Sequence, residues 1–284
     1  MEIISRRQRM FAISRKLRRE SKTVGFVPTM GALHEGHLAL VKEARQRCDV
    51  VIVSIFVNPE QFGDVNDLER YPRDLTADAS QLAEYEVDYV FAPEPKEIYP
   101  PGFATYVQVE GVTETLEGES RPGHFRGVTT VVTILFNTIR PDLVFFGQKD
   151  AQQVAVVRRL TADLGFETEI VVVPTVREES GLAMSSRNQL LSDEQRAKAA
   201  VMIHALREAK LAFKKGERNA SHLRDMIRSH IEGEPSAALD YVAIVDRNSM
   251  EPIEKIGDNE AMGVVAARFG NVRLIDNVIF NRKQ

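Results

Sequence analysis

Residues 50–57 read Val-Val-Ile-Val-Ser-Ile-Phe-Val, apolar at nearly every position and rich in β-branched side chains. A strand with one wet face alternates apolar and polar residues, whereas a strand covered on both faces does not. The run is too short for a membrane span and is followed by Asn58-Pro59, a turn signal. It is therefore expected to be a central strand of a parallel sheet. Working outward, similar runs stand at 23–27, 87–91, 143–146 and 169–173. Helical periodicity fills 35–48, 74–86, 125–139 and 150–165. Strand, helix and strand in alternation predict βαβ units, hence a Rossmann-like α/β sheet with helices on both faces.

The pattern changes from Arg177. A charged helix is expected over 193–215, with Ser192 as N-cap and Gln195 completing a capping box. A shorter helix follows at 220–232, then the strand-like runs Tyr-Val-Ala-Ile-Val-Asp, Met-Gly-Val-Val-Ala-Ala-Arg-Phe and Val-Arg-Leu-Ile-Asp-Asn-Val-Ile-Phe. The expected division is a first domain over 1–176 and a smaller α+β domain over 177–284, with 174–181 as the hinge. Basic residues crowd the first twenty-two positions, from Arg6 to Lys22. With Ile4, Met10, Phe11, Ile13 and Leu17 turned inward, this stretch reads as a surface helix with its arginines in solvent.

Composition narrows the function classes. The 284 residues carry a formal net charge of −4, which argues against a nucleic-acid partner or an anionic membrane surface. No apolar run approaches the roughly 20 residues of a membrane helix. Cys48 is the single cysteine, so no intrachain disulfide can form, and a reducing, cytoplasmic setting is expected.

Parallel sheets bind ligands beyond the carboxyl ends of their strands, and there the unusual residues gather. Between the first strand and its helix lies Pro28-Thr-Met30-Gly31-Ala-Leu-His34-Glu-Gly36-His37. Two histidines at i, i+3 share a face at a helix start, where free N–H groups and a partial positive charge suit phosphate. Gly36 leaves room for a flat group. A metal pair or two bystanders at a helix cap would also satisfy the spacing. The arrangement resembles the HxGH signature of the nucleotidyltransferases. Met184-Ser185-Ser186-Arg187-Asn188 offers hydroxyls and a guanidinium to a triphosphate, or simply a cap for the next helix. Phe146-Gly147-Gln148-Lys149-Asp150 places a point charge at a strand end, where Asp150 can also cap a helix. Asn58-Pro-Glu-Gln61-Phe-Gly sets amides at the mouth of the sheet, for a small polar substrate or for the turn itself.

Taken in order, FVPTMGALHEGH, VSIFVNPEQF, RYPRDL, LEGESRPGHFRGV, FGQKDAQQ and GLAMSSRN resemble the pantothenate synthetase family, and the likeness runs on through the terminal RLIDN. The resemblance implies an ATP-dependent ligase that activates pantoate as an acyl-adenylate and transfers it to β-alanine, with Mg²⁺ as cofactor and a homodimer as assembly. By the same resemblance, His34 and His37 contact ATP phosphates, and Met30, Gly31 and Gly36 lie along the nucleotide. Gly147, Lys149, Asp150, Val176 and Met184 complete the ATP site, with Ser185, Ser186 and Arg187 as the triphosphate loop. The residues implied as catalytic are His34, His37, Lys149 and Arg187. Gln61 and Gln153 would hold pantoate with Asn58 nearby, and Asp78 would be the magnesium-associated aspartate. Glu117, Arg121 and His124 belong to a segment flanking or covering the site, and residues 177–284 would act as a lid. Ala151 stands where the resemblance implies an aromatic side chain. Another HxGH adenylyltransferase, one that keeps AMP on its product, is the alternative.

Overall fold

The computed structural model of the protein describes residues 1–63, 65–258 and 260–281. Six strands, β1 (Glu2–Ile4), β2 (Val24–Thr29), β3 (Val50–Ile55), β4 (Tyr89–Phe91), β5 (Leu143–Gly147) and β6 (Glu169–Val173), form one sheet in the order β1-β4-β3-β2-β5-β6. Every pairing is parallel. The continuous apolar run behaves as its composition requires: Val51, Ile52 and Val53 are fully buried in β3. Alternate residues Val27, Val51, Val53, Val90 and Phe145 pack against Leu38, Val41 and Ala44 of the helix Glu35–Arg47 and Leu82 of the helix Leu75–Ala83. Their neighbours in sequence, Phe26, Ile52 and Val144, face the other side by the period of the pleat. Beyond β2 the chain builds outward to β3 and β4; it then returns to β5 on the opposite flank of β2. The switch point of the sheet therefore lies at the carboxyl ends of β2 and β5.

Two local features follow from packing. A Cβ on Gly25 of β2 would come within 2.7 Å of the Cys48 sulfur, so the close approach of that thiol requires glycine. Burial pushes the Cys48 thiol up to about 11, which keeps it protonated and unreactive at neutral pH. The three-residue β1 was not among the expected strands; only Ile4 of its residues is buried. In the expected first helix, which runs Arg7–Arg19, Met10, Ile13 and Leu17 are buried as anticipated.

The chain divides into two compact units, Met1–Gln148 with Val156–Pro174, and Lys149–Ala155 with Thr175–Gln284. In the second, β7 (Ala237–Asp246), β8 (Ala261–Phe269) and β9 (Val272–Phe280) form an antiparallel sheet in that order. The helices Val201–Lys214 and Ala220–Glu232 bury Leu206, Phe213, Leu223 and Ile227 in one cluster with Ile244, Val265, Phe269 and Phe280. The capping box is present: Gln195 N–H donates to Ser192 Oγ and Ser192 N–H to Gln195 Oε1. The helix expected over 193–215 is two helices, Asp193–Ala199 and Val201–Lys214, joined at Ala200, where ψ flattens to −14°.

Candidate active site

After β2 the chain turns through Gly31 and Ala32, both left-handed, at φ 82° and 51°. This conformation suits the glycine and strains the alanine. The turn is held from both ends. Thr29 Oγ1 donates to the Ser54 carbonyl and accepts from the Gly31 N–H. The Asp78 carboxylate accepts from Ala32 N–H at 3.1 Å through one oxygen and from Leu33 N–H at 2.8 Å through the other. Asp78 is 3% exposed, and a Cβ on Gly31 would sit 2.8 Å from its Oδ2. Burial raises the Asp78 carboxyl above its ordinary value, against the two backbone donors that lower it.

The turn delivers His34 to the N-cap of the helix Glu35–Arg47, in extended conformation at φ −145° and ψ 173°. Its Nδ1 accepts from the Gly36 N–H at 3.1 Å. A neutral ring then carries its proton on Nε2. His37 lies one turn on; the two rings are 4.1 Å apart between centroids at 35°. The expected face-sharing of the histidines is thus realised, at the positive end of the helix dipole.

β3 leads into Asn58 and the short turn Pro59–Gln61. Asn58 and Gln61 are 1% and 9% exposed. Gln61 Nε2 is 2.9 Å from the Met30 sulfur, so this amide and the histidine loop share a neighbourhood. The helix His124–Ile139 closes the turn from behind. A Cβ on Gly127 would lie 2.3 Å from the Glu60 carbonyl oxygen, so backbone packs on backbone there. His124 Nδ1 is 2.9 Å from the Gln61 carbonyl and its Nε2 is 3.2 Å from Arg121 Nη1. A carbonyl only accepts and a guanidinium only donates, so neutral His124 carries its proton on Nδ1. Arg121 in turn stands 4.0 Å from the buried Glu117 carboxylate. Glu117, Arg121 and His124 therefore support the Gln61 turn through its backbone.

In the second unit, Lys149 lies in the turn Gln148–Asp150, its ammonium 3.2 Å from Asp150 Oδ1 and its carbonyl accepting from Asn277 Nδ2 at 3.0 Å. Gln153 follows, half-buried, in the helix Ala151–Asp163. Val176 and Met184 face each other across an antiparallel turn, Met184 N–H donating to the Val176 carbonyl at 3.0 Å. That turn presents Ser185, Ser186 and Arg187, all half-buried, at the head of a 3₁₀ segment, and Ser185 Oγ accepts from Arg187 N–H at 3.3 Å. The cap expected of the serines is therefore real.

Residues not anticipated as functional hold this loop. Arg177 makes a two-pronged ion pair with Asp276 at 2.7 and 2.9 Å and also donates to the Gly181 carbonyl. Glu178 accepts from Asn188 and, through both oxygens, from Arg196. Burial acts to raise the Glu178 carboxyl, but those donors bring it below its usual range. Asp276 and Asn277 both sit on β9, so RLIDN anchors Arg177 ahead of the serine loop and the Lys149 backbone at once. Asp276 is 4% exposed. Replacing it with alanine strands a largely buried guanidinium, for which about 3 kcal/mol of lost stability is expected. Urea unfolding of Asp276→Ala checks this; a loss below about 1 kcal/mol would reduce the pair to a surface contact.

Both Asp78 carboxylate oxygens accept backbone N–H groups, and among the described residues no group of three or more His, Cys, Asp or Glu is placed to hold a metal ion. Asp78 stands as the anchor of the turn before His34.

The pantoate-beta-alanine ligase family model matches residues 2–279. The chain belongs to the pantoate-beta-alanine ligase family. It is similar to the pantothenate synthetases of Pelotomaculum thermopropionicum, 52% identical over 95% of this chain and 96% of that one, and of Heliobacterium modesticaldum, 52% identical over 98% and 99%. Among solved structures, pantothenate synthetase from Thermus thermophilus superposes with a TM-score of 0.92 at 46% identity, covering 99% of this chain and all of that one. The pantoate-beta-alanine ligase of Francisella tularensis, complexed with β-γ ATP and β-alanine, gives 0.81 at 37% identity over 99% and 98%. Members of this family are amide-forming ligases, and the parallel sheet with its smaller antiparallel companion is the fold of both structures.

Proposed function

We propose that the protein condenses pantoate with β-alanine through a pantoyl-adenylate, releasing pyrophosphate and then AMP. Its membership of the ligase family over nearly the whole chain carries this reading. The first half-reaction needs no base, because a carboxyl with an ordinary pKa of about 4 is ionised at neutral pH. The obstacle is the approach of one anion to another, so catalysis lies in positioning and countercharge. The carboxylate oxygen bonds to the α-phosphorus and the bond to pyrophosphate breaks. The Nε2–H of His34, with His37 and the N-terminus of the helix Glu35–Arg47, serves the phosphates from one loop. Lys149, Ser185, Ser186 and Arg187 serve the departing pyrophosphate oxygens, with Met30, Gly31, Gly36, Gly147, Asp150, Val176 and Met184 along the nucleotide. Gln61 and Gln153 hold pantoate.

In the second half-reaction the β-alanine nitrogen attacks the pantoyl carbonyl, the acyl–oxygen bond to AMP breaks, and the nitrogen loses a proton. An amine of ordinary pKa, about 10, must give up a proton before it attacks. A histidine and the adenylate phosphate both have the chemistry to take it. Mg²⁺ is proposed to arrive with the triphosphate. A homodimer in the cytoplasm completes the reading, with a solution mass twice that of the chain as its check. No helix among the described residues is long and apolar enough to cross a membrane.

The deciding experiment follows AMP formed from ATP and pantoate with and without β-alanine. Steady-state AMP dependent on β-alanine, at one pantothenate per AMP, is the expected result. ATP consumed without the amine, leaving a stable adenylylated product, would move the chain to the adenylyltransferases that retain AMP.

A further inference from the structure

Asn58 is fully committed inside the protein. Its Oδ1 accepts from the Glu60 N–H at 3.4 Å and its Nδ2 donates to the Gly127 carbonyl at 3.1 Å. Backbone N–H can only donate and backbone C=O only accept, so these two contacts decide which end of the amide is oxygen. The remaining contacts are then forced. The Tyr99 hydroxyl, 2.7 Å from Oδ1, must donate to it. Gln61, 3.0 Å from Nδ2, must present its oxygen to Asn58. With Oε1 spent on Asn58, the other end of Gln61 is an NH₂ group, and its neighbour is the Met30 sulfur at 2.9 Å. A thioether is a weak acceptor that a carboxylate or hydroxyl oxygen readily replaces.

We propose that Tyr99 is a positioning residue which, through Asn58, locks the Gln61 amide with its NH₂ turned toward pantoate, so that the site selects an acceptor oxygen of that substrate. This rests on the reading of Gln61 as a pantoate contact. It also changes the part of Asn58, whose amide orients Gln61 and does not itself meet the substrate. Packing keeps the relay in place: the Tyr99 ring lies 6.3 Å from Phe56 and 5.0 Å from Phe103 between centroids. Burial raises the Tyr99 phenol, so it remains a donor throughout the neutral range.

The test is pantoate binding by calorimetry on the full chain, with ATP binding measured alongside. Tyr99→Phe keeps the ring and removes the donor; about a fivefold weaker Kd for pantoate is expected, with ATP unchanged. Gln61→Ala should weaken pantoate by more than about tenfold, and adding Tyr99→Phe to it should cost nothing further. If Tyr99→Phe exacts its full factor in the Gln61→Ala background, Tyr99 acts through general packing and the relay is overturned. If Gln61→Ala alone binds pantoate as tightly as the parent, the reading of Gln61 itself fails, a separate result. Gln61→Glu reads the polarity independently of Tyr99. With Asn58 holding one carboxylate oxygen, the other faces the substrate and repels it, so binding should be weaker than for Gln61→Ala. Near-parental binding by Gln61→Glu would mean that Gln61 offers its oxygen to pantoate, and would overturn the proposal.

Discussion

Lys149→Ala should slow adenylate formation by about 10²–10³-fold, the usual cost of removing one fixed donor from a developing phosphate charge. In the proposed site this ammonium stands beside the triphosphate. Lys149 lies just past the end of β5, its carbonyl is fixed by Asn277, and its ammonium rests on Asp150 at 3.2 Å. The lysine side chain is 20% exposed and the aspartate 45%, so their pair is worth at most about 1 kcal/mol, and a phosphate displaces the carboxylate at little cost. Pantoate-dependent exchange of pyrophosphate into ATP isolates this half-reaction, free of β-alanine. Lys149→Arg is not expected to restore the rate, because a planar fork on a longer stem does not place its charge where an ammonium did. Exchange within about threefold of the parent in Lys149→Ala would remove this residue from the triphosphate machinery.

What the sequence disclosed and what it concealed divide along a physical line. β3 was readable because burial on both faces leaves an unbroken apolar record. The histidine loop was readable because its residues are adjacent in the chain, so spacing alone puts two rings on one helical face. β1 left no such record: three residues with a single buried side chain have no period to detect. The break at Ala200 is equally silent, since no glycine or proline stands beside it and only a change in ψ marks it. The anchors were hidden for another reason. Arg177 and Asp276 lie 99 residues apart, and Asp78 lies 45 and 46 from the amides it holds. Their types were visible in the sequence, but their partners exist only once the sheet has formed. The resemblance implies a magnesium role for Asp78; to that the fold adds a carboxylate that holds a backbone turn.

That turn leads to the second large effect. Asp78→Asn should lower kcat/KM for ATP by about 10²-fold while leaving the melting temperature near pH 7 unchanged or slightly raised. Asparagine supplies one acceptor where two N–H donors converge, so either Ala32 or Leu33 meets an NH₂ group and must turn away. Those residues set the exit from the left-handed turn into His34, and a shift of about 1 Å in a positioning element costs roughly 10²-fold. Stability moves differently because burial outweighs the two backbone bonds and raises the folded-state pKa of Asp78. For a raised pKa, the stability contribution is present below the unfolded value and is lost as pH rises through the folded one. Ionised Asp78 therefore costs stability at neutral pH, a cost that asparagine avoids and that offsets the N–H bond it gives up. On acidification the parent takes up its proton and regains that stability, so any advantage of Asp78→Asn should shrink from about pH 7 down toward about pH 4. Thermal melts across that range, without ATP or Mg²⁺, measure it directly. A metal-holding aspartate predicts another pattern, in which excess Mg²⁺ repairs the activity of Asp78→Asn. Repair by Mg²⁺ would return Asp78 to the metal; a defect indifferent to Mg²⁺, in a protein at least as stable as its parent, identifies a carboxylate kept for the geometry it imposes on the histidine loop.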